Sequence, residues 1–337
     1  MTIKIGVVGL GVWGNFHCEV YSAHPKAELV AICDRDEERV RDFSKRYNVK
    51  ETYTSSDEMI AKTDIDAVAV VTPDFAHREI AVAAAKAGKH IIVEKPLATS
   101  VEDAEAICKA AEENGVRVMV DFHNRWNPLF FKIYESLREG KLGEPAHLYI
   151  RHSNTLYIPR EMLSWSSKSA VAWFLGAHSA DLARWLVGSE VERVTCLARK
   201  KHLVKMGIDT QDFFVTTLEF SCGAIAVLEN SWLLPESLPV MGDFKAEIVG
   251  SKGVAYADFS THRGVQIFHE KEVLPDILAA PVVQGQAGGF VRESIRHFID
   301  ALDEGRAPIV GKEDGLANTK IICAMYQSIA EGNPVSL

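Results

Sequence analysis

Apolar residues in the first third of the chain come in short, nearly unbroken runs, at positions 3–9, 28–34, 67–71, 90–94 and 116–121. Runs of this length without polar alternation suit strands covered on both faces of a sheet. Helix-length segments lie between most of them. After Asp34, Val40, Phe43 and Tyr47 recur at helical spacing in an otherwise charged stretch, which gives a surface helix with one buried stripe. The alanine-rich segment 81–87 closes at Gly88, a natural stop before the next strand. This order predicts five parallel strands joined by right-handed crossovers.

Beyond Pro128 the pattern changes. Alternation at 147–152 and 213–220, with Ser221, Cys222 and Gly223 as a turn before 224–232, predicts antiparallel pairing. Helices are expected at about 128–139, 170–187, 289–304 and 314–331. The fold class that follows is an α/β N-terminal domain with a parallel sheet over residues 1–121. An α+β C-terminal domain with an open, mainly antiparallel sheet takes residues 122–337.

Composition removes some functions without naming one. Of 337 residues, 47% are hydrophobic and 25% charged, the balance of an ordinary globular protein. A net charge of −9 is wrong for a grip on phosphate backbones, so no nucleic acid partner is expected. No apolar run approaches the roughly 20 residues of a membrane-spanning helix. Met1 leads directly into a strand-like run without the features of a secretory signal, so a cytoplasmic location and no membrane partner are expected. The six cysteines have no Cys-x-x-Cys spacing and read as reduced thiols. The histidines show no ligand spacing beside an acid, so no metal is expected.

Candidate chemistry begins at Gly9-Leu10-Gly11-Val12-Trp13-Gly14, which follows the first strand and opens a helix. Glycines at these positions allow a tight turn and close backbone approach, placing a pyrophosphate at the helix N-terminus. Asp34, ending the next strand, would accept hydrogen bonds from the adenosine ribose and disfavour a 2'-phosphate. That points to NAD, with Arg35 keeping NADP as the alternative. A second cluster, Glu94-Lys95-Pro96, puts an acid and a lysine at the C-terminal end of a parallel strand, where open α/β sheets bind ligands.

These pieces, with Thr72-Pro73 and His77, His123-Asn124-Arg125-Trp126-Asn127-Pro128, Gly176-Ala177-His178-Ser179-Ala180-Asp181 and Gly305-Arg306-Ala307-Pro308, resemble the family of glucose-fructose oxidoreductase and inositol 2-dehydrogenase over almost the whole chain. The resemblance implies a Rossmann domain and a substrate domain whose open sheet forms a homodimer or homotetramer contact. It implies that Lys95 is the catalytic lysine, a role that suits an ammonium stabilising a developing alkoxide. It further implies that His178 is the general base, a task imidazole performs near neutral pH. Thr72, Pro73, His77, Glu94 and Arg125 are then expected on the cofactor. Trp126, His152 and Trp165 are expected around a carbohydrate-like substrate. Asp181 either orients His178 or serves helix packing, and His77, Trp126, Trp165 and His178 itself each have a packing role as the alternative.

One position departs from the family. Phe174 stands four residues before His178, where sugar- and inositol-acting members often carry aspartate; a phenyl ring accepts no hydrogen bond from a substrate hydroxyl. Either Lys95 and His178 suffice, or a polar group such as His152, Arg151 or Tyr157 compensates. The expected activity is hydride transfer between NAD(P) and a secondary alcohol of a sugar, polyol or inositol-like substrate. Redox-assisted elimination, epimerisation or glycosidic cleavage with recycled NAD, and a non-catalytic dinucleotide-binding regulator, are the alternatives.

Overall fold

The computed structural model describes residues 2–260, 265–268 and 272–337, which form two compact units. The first unit comprises Met1–His123 and Leu278–Thr319; the second comprises Asn124–Ile277 and Lys320–Leu337.

The first unit is built on β1 (Ile3–Val8), β2 (Ala27–Cys33), β3 (Glu51–Tyr53), β4 (Ala67–Val70), β5 (His90–Glu94) and β6 (Val118–Asp121). They lie in the order β3-β2-β1-β4-β5-β6 and pair in parallel throughout. The expected five strands are thus six. Glu51-Thr52-Tyr53 is too short and too polar to stand out as an apolar run, and it forms the sheet edge, where only one neighbour has to be satisfied. Helices α1 (Val12–Ala23), α2 (Glu37–Tyr47), α3 (Ser56–Lys62), α4 (His77–Lys86) and α5 (Val101–Glu113) make the crossovers. Side-chain caps set several of their starts: Asp36 accepts from the Glu38 and Arg39 amides, and Ser100 from the Asp103 amide.

The division at residue 121/122 leaves the C-terminal return of the chain out of the first unit. The Val120 amide donates to the Val310 carbonyl at 3.3 Å, extending the β6 edge. Gly315 sits so close to Val120 and Leu97 that a Cβ there would lie 2.7 Å from Val120 Cγ2. No periodicity in 278–319 distinguishes a helix that belongs to the preceding antiparallel sheet from one that returns to the first domain.

The second unit begins with α6 (Pro128–Arg138) and β7 (Pro145–Asn154). After α7 (Ala177–Val187) come β8 (Val191–Arg199), the single turn α8 (His202–Lys205), β9 (Phe213–Phe220), β10 (Ile225–Ser231), β11 (Gly242–Gly250) and β12 (Val254–Asp258). Two short hairpins follow, β13 (Ile267–Phe268) with β14 (Glu272–Val273), and β15 (Val282–Val283) with β16 (Gln286–Ala287), the second belonging to the first unit. The chain closes with α9 (Gly289–Asp303), α10 (Lys312–Glu331) and β17 (Val335–Ser336). The large sheet has the order β12-β11-β7-β10-β9-β8-β17 and is antiparallel except between β7 and β10.

Alternation along β9 places Phe214, Thr216, Leu218 and Phe220 in the interior, where they join Leu148, Ile150, Ala226, Leu228 and Ile248 in the core under α7. On the other face, register aligns Leu197, Val215, Glu229, Arg151, Lys245 and Asp258 in one row across the sheet. The helix expected over 170–187 is not uniform. Residues Ala172–Gly176 form a π-turn, with the Ala177 amide reaching back to the Ala172 carbonyl, before α7 starts. A single inserted residue of this kind leaves apolar spacing intact, which is why the pattern reads as one helix.

Phe214 is fully buried at the centre of this core. Phe214→Ala should destabilise the second unit by about 3–5 kcal/mol, measured by urea unfolding.

Candidate active site

In the first unit the chemistry gathers at the C-terminal strand ends. The turn after β1 is forced by sterics: Gly9 has φ +99°, and a Cβ there would lie 2.5 Å from the Val71 carbonyl oxygen. A Cβ on Gly14 would sit 2.0 Å from the Gly9 oxygen, so the first turn of α1 can cross the loop only without a side chain. Around Gly11 the reverse holds: a Cβ there would meet nothing within 4 Å. Gly11 caps α1 without a side-chain bond, and the first turn carries no acid. The amides of that turn therefore keep their capacity for an anion, and the open approach at Gly11 lets a diphosphate reach them. Val12 is exposed, and Trp13 packs its ring on His123 with centroids 5.4 Å apart.

Asp34 is held against this loop: Oδ2 accepts from the Leu10 amide at 2.7 Å and Oδ1 from the Asp36 amide at 3.0 Å. Its carboxylate is thereby fixed beside the turn, where ribose hydroxyls of a dinucleotide would meet it, while Arg35 is exposed. These features fit a dinucleotide. His77 is buried, with Nδ1 2.8 Å from the Pro96 carbonyl and Nε2 2.9 Å from the Thr72 carbonyl. It ties the loop after β4 to the loop after β5 and so fixes the placement of Thr72 and Pro73.

Glu94 ends β5 and Lys95 follows it, both buried, and the Lys95–Pro96 peptide is cis. Burial pushes the Lys95 ammonium down, opposed by the charges of Glu94, Asp74 and Asp121. Glu94 Oε1 lies 3.2 Å from His17 Nε2, and His17 Nδ1 lies 2.9 Å from the Tyr21 hydroxyl. Burial would raise the Glu94 carboxyl, but the His17 hydrogen bond and nearby positive charge outweigh it and hold it down. Asp121, the register partner of Glu94, is fully buried and accepts a hydrogen bond from the Ser294 hydroxyl. The sequence reading missed His17, Tyr21, Asp121 and Ser294. A polar residue closing the apolar strand Val118–Asp121 and a histidine three residues past Gly14 were the available signals.

In the second unit, Arg125 donates to Asp181 through both Nε (3.0 Å) and Nη2 (2.6 Å), a buried bidentate pair. Asp181 thus fixes Arg125, a role outside both of those expected for it. His178 is buried on α7, and its ring centroid is 5.7 Å from that of His152. The His152 ring stacks on Phe244 at 3.8 Å, and Asn230 Nδ2 donates to the His152 carbonyl and the Ser179 hydroxyl. One amide therefore joins β10 to both β7 and α7, setting the height at which the two imidazoles face. Phe174, in the π-turn, packs between Trp165 (6.5 Å) and Trp232 (5.9 Å), so the substituted position belongs to an aromatic cluster. Trp126 is half-buried in the short 3₁₀ turn His123–Trp126.

A six-stranded parallel sheet with an uncapped glycine turn, an acid fixed beside that turn and a buried strand-end lysine is the frame of a dinucleotide-dependent oxidoreductase. The chain belongs to the oxidoreductase family whose NAD-binding Rossmann-fold model matches residues 3–122 and whose C-terminal alpha/beta domain model matches residues 134–337. This is the family anticipated from the motifs. Myo-inositol 2-dehydrogenase of Thermotoga maritima is 29% identical over 340 residues, 99% of this chain and 98% of that protein. The scyllo-inositol 2-dehydrogenase (NAD(+)) of Bacillus subtilis is 27% identical over 99% of this chain and 96% of its own. The crystal structure of GenD2 from gentamicin A biosynthesis in complex with NAD superposes with a TM-score of 0.86 at 26% identity, covering 100% of this chain and 96% of that one.

Burial pushes the His123 imidazole down to about 4 despite the Glu94 carboxylate beside it. The folded protein keeps His123 neutral where the unfolded chain binds a proton near pH 6.5, so acidification favours unfolding through that window. His123→Gln should lose about 2 kcal/mol less stability than the parent between pH 7 and pH 5, read from urea midpoints.

Proposed function

We propose that the protein catalyses reversible hydride transfer between NAD and a secondary alcohol of a sugar, polyol or inositol-like substrate. The observation that carries this reading is Lys95: an ammonium buried at the C-terminal end of β5, in the same unit as the glycine turn and Asp34. Gly9, Gly11, Val12, Trp13, Gly14, Asp34, Arg35, Thr72, Pro73, Glu94 and Arg125 would hold the cofactor, with His77 supporting them. When bound, the nicotinamide supplies the hydride acceptor. Lys95 stabilises negative charge on the substrate oxygen as its proton departs. His178 takes that proton, and His152, its neighbour, supplies the hydrogen-bonding capacity that Phe174 lacks. Trp126 and Trp165 offer apolar faces for a sugar ring.

The purified protein, supplied with NAD and a panel of sugars, polyols and inositols, should form NADH with at least one of them. Lys95→Ala and His178→Ala should each lower kcat by about a hundredfold or more. NAD binding without turnover of any panel member, together with no effect of Lys95→Ala, would overturn the proposal. An isomerised or cleaved product without net NADH would assign the recycled-cofactor reaction instead.

Among the described residues no helix is long and apolar enough to cross a membrane, and all six cysteines are free thiols, which supports a cytoplasmic setting. The outward face of the large sheet supports a homodimer or homotetramer: Leu197 and Tyr256 are 61% and 70% exposed there, among paired charges such as Arg151 with Glu229 and Asp243. Leu197→Lys combined with Tyr256→Lys should reduce the mass measured by light scattering to that of a smaller assembly.

A further inference from the structure

Glu94 and Asp121 end adjacent parallel strands as direct register partners, and both are buried. Ligand-type atoms of Glu94, Asp121 and His17 lie within 4.8 Å of one another. The surroundings of the two acids differ. Glu94 has the His17 ring, itself braced by Tyr21 from α1, and is followed in the chain by Lys95. Asp121 has the Ser294 hydroxyl from α9 on Oδ1, while its buried Oδ2 meets no hydrogen-bond partner. Asp74, His123 and, behind Tyr21, Cys18 are further titratable groups around this point. Two carboxylates this close, out of water and beside one ammonium, do not both ionise. The proton belongs on the acid whose donor is a neutral hydroxyl and whose other oxygen is buried without one.

We propose that Glu94 and Asp121 share one proton, held on Asp121, and that Asp121 is thereby a positioning residue that fixes a single negative charge, on Glu94, beside the Lys95 ammonium. Burial and the Glu94 charge push the Asp121 carboxyl well up, while the His17 ring beside Glu94 holds that acid down. With the pair at one net charge, Lys95 keeps its counter-ion and no second buried anion has to be compensated. The importance of this for hydride transfer rests on the reading of Lys95 as the catalytic lysine. The dyad itself is testable in cofactor-free protein, so it stands or falls separately from that reading.

Infrared spectroscopy of the full-length protein at neutral pH should show the carbonyl stretch of a protonated carboxyl, lost in Asp121→Asn and lost in Glu94→Gln, where Asp121 is free to ionise. Stability supplies a second arm. The unfolded chain releases the Asp121 proton near pH 4 and the folded protein retains it, so the parent loses stability as pH rises above that value. The Tm of Asp121→Asn should therefore gain on that of the parent between pH 5 and pH 8. In a third arm, the pH dependence of Lys95 acylation, followed by mass spectrometry, should be unmoved in Asp121→Asn. In Glu94→Gln combined with Asp121→Asn, which leaves no charge on the pair, it should fall by about one pH unit or more. Absence of an Asp121-dependent carboxyl band, or a Tm gap running the opposite way, would overturn the proposal. So would a zinc-dependent rise in the parent Tm that Asp121→Asn abolishes, because it would make His17, Glu94 and Asp121 a metal site. If Asp121→Asn does not fold, persistence of the band in Glu94→Gln at full strength overturns it.

Discussion

The carbonyl of Gly9 and the α-carbon of Gly14 approach so closely that no side chain fits between them, and the first unit is organised around that clearance. Because α1 crosses its own loop there, its first amides face outward without a capping residue, and the neighbouring strand end must supply whatever negative charge the loop requires. Asp34 does so from the end of β2 by binding the Leu10 amide. The same close packing on the Val71 side fixes where the chain leaves β4, and His77 then clamps that exit to the loop after β5. Lys95 is placed at the end of this chain of contacts. A lysine buried by a rigid frame needs little reorganisation when charge develops near it.

The second unit solves a different problem, which is to hold polar rings in an apolar core. His178 and His152 come from a helix and a strand that share no local sequence, and Asn230 joins those two elements through two hydrogen bonds from one amide. Phe244 supports the His152 ring by stacking on it. The π-turn before α7 carries Phe174 into a cluster with Trp165 and Trp232, so the side chain that departs from the family pattern is part of a packed aromatic group.

Much of this was legible in the sequence for identifiable reasons. Parallel strands buried on both faces announce themselves as apolar runs, and the glycine turn, Asp34 and Lys95 lie at strand ends that those runs locate. What stayed hidden depends on pairing between distant segments. The edge strand Glu51–Tyr53 has no apolar run, the parallel β7–β10 pair violates the expectation from a hairpin-like alternation, and the π-turn preserves helical spacing. The Arg125–Asp181 pair joins residues 56 apart, and Ser294 reaches Asp121 over 173 positions; no local pattern encodes either. Asp121 gives no signal of its own, because a single acid ending an apolar strand reads as the edge of a loop.

The return of residues 278–319 to the first unit carries a consequence for biosynthesis. A ribosome finishes the six strands of the parallel sheet long before it reaches the segment that covers the β6 edge and supplies Ser294 to Asp121. Through most of translation that edge and the acid behind it are exposed to solvent and to neighbouring chains, the situation in which intermediates aggregate. The first unit is thus completed only when most of the second has already been made, and a nascent chain interrupted before residue 319 lacks parts that close its own first unit.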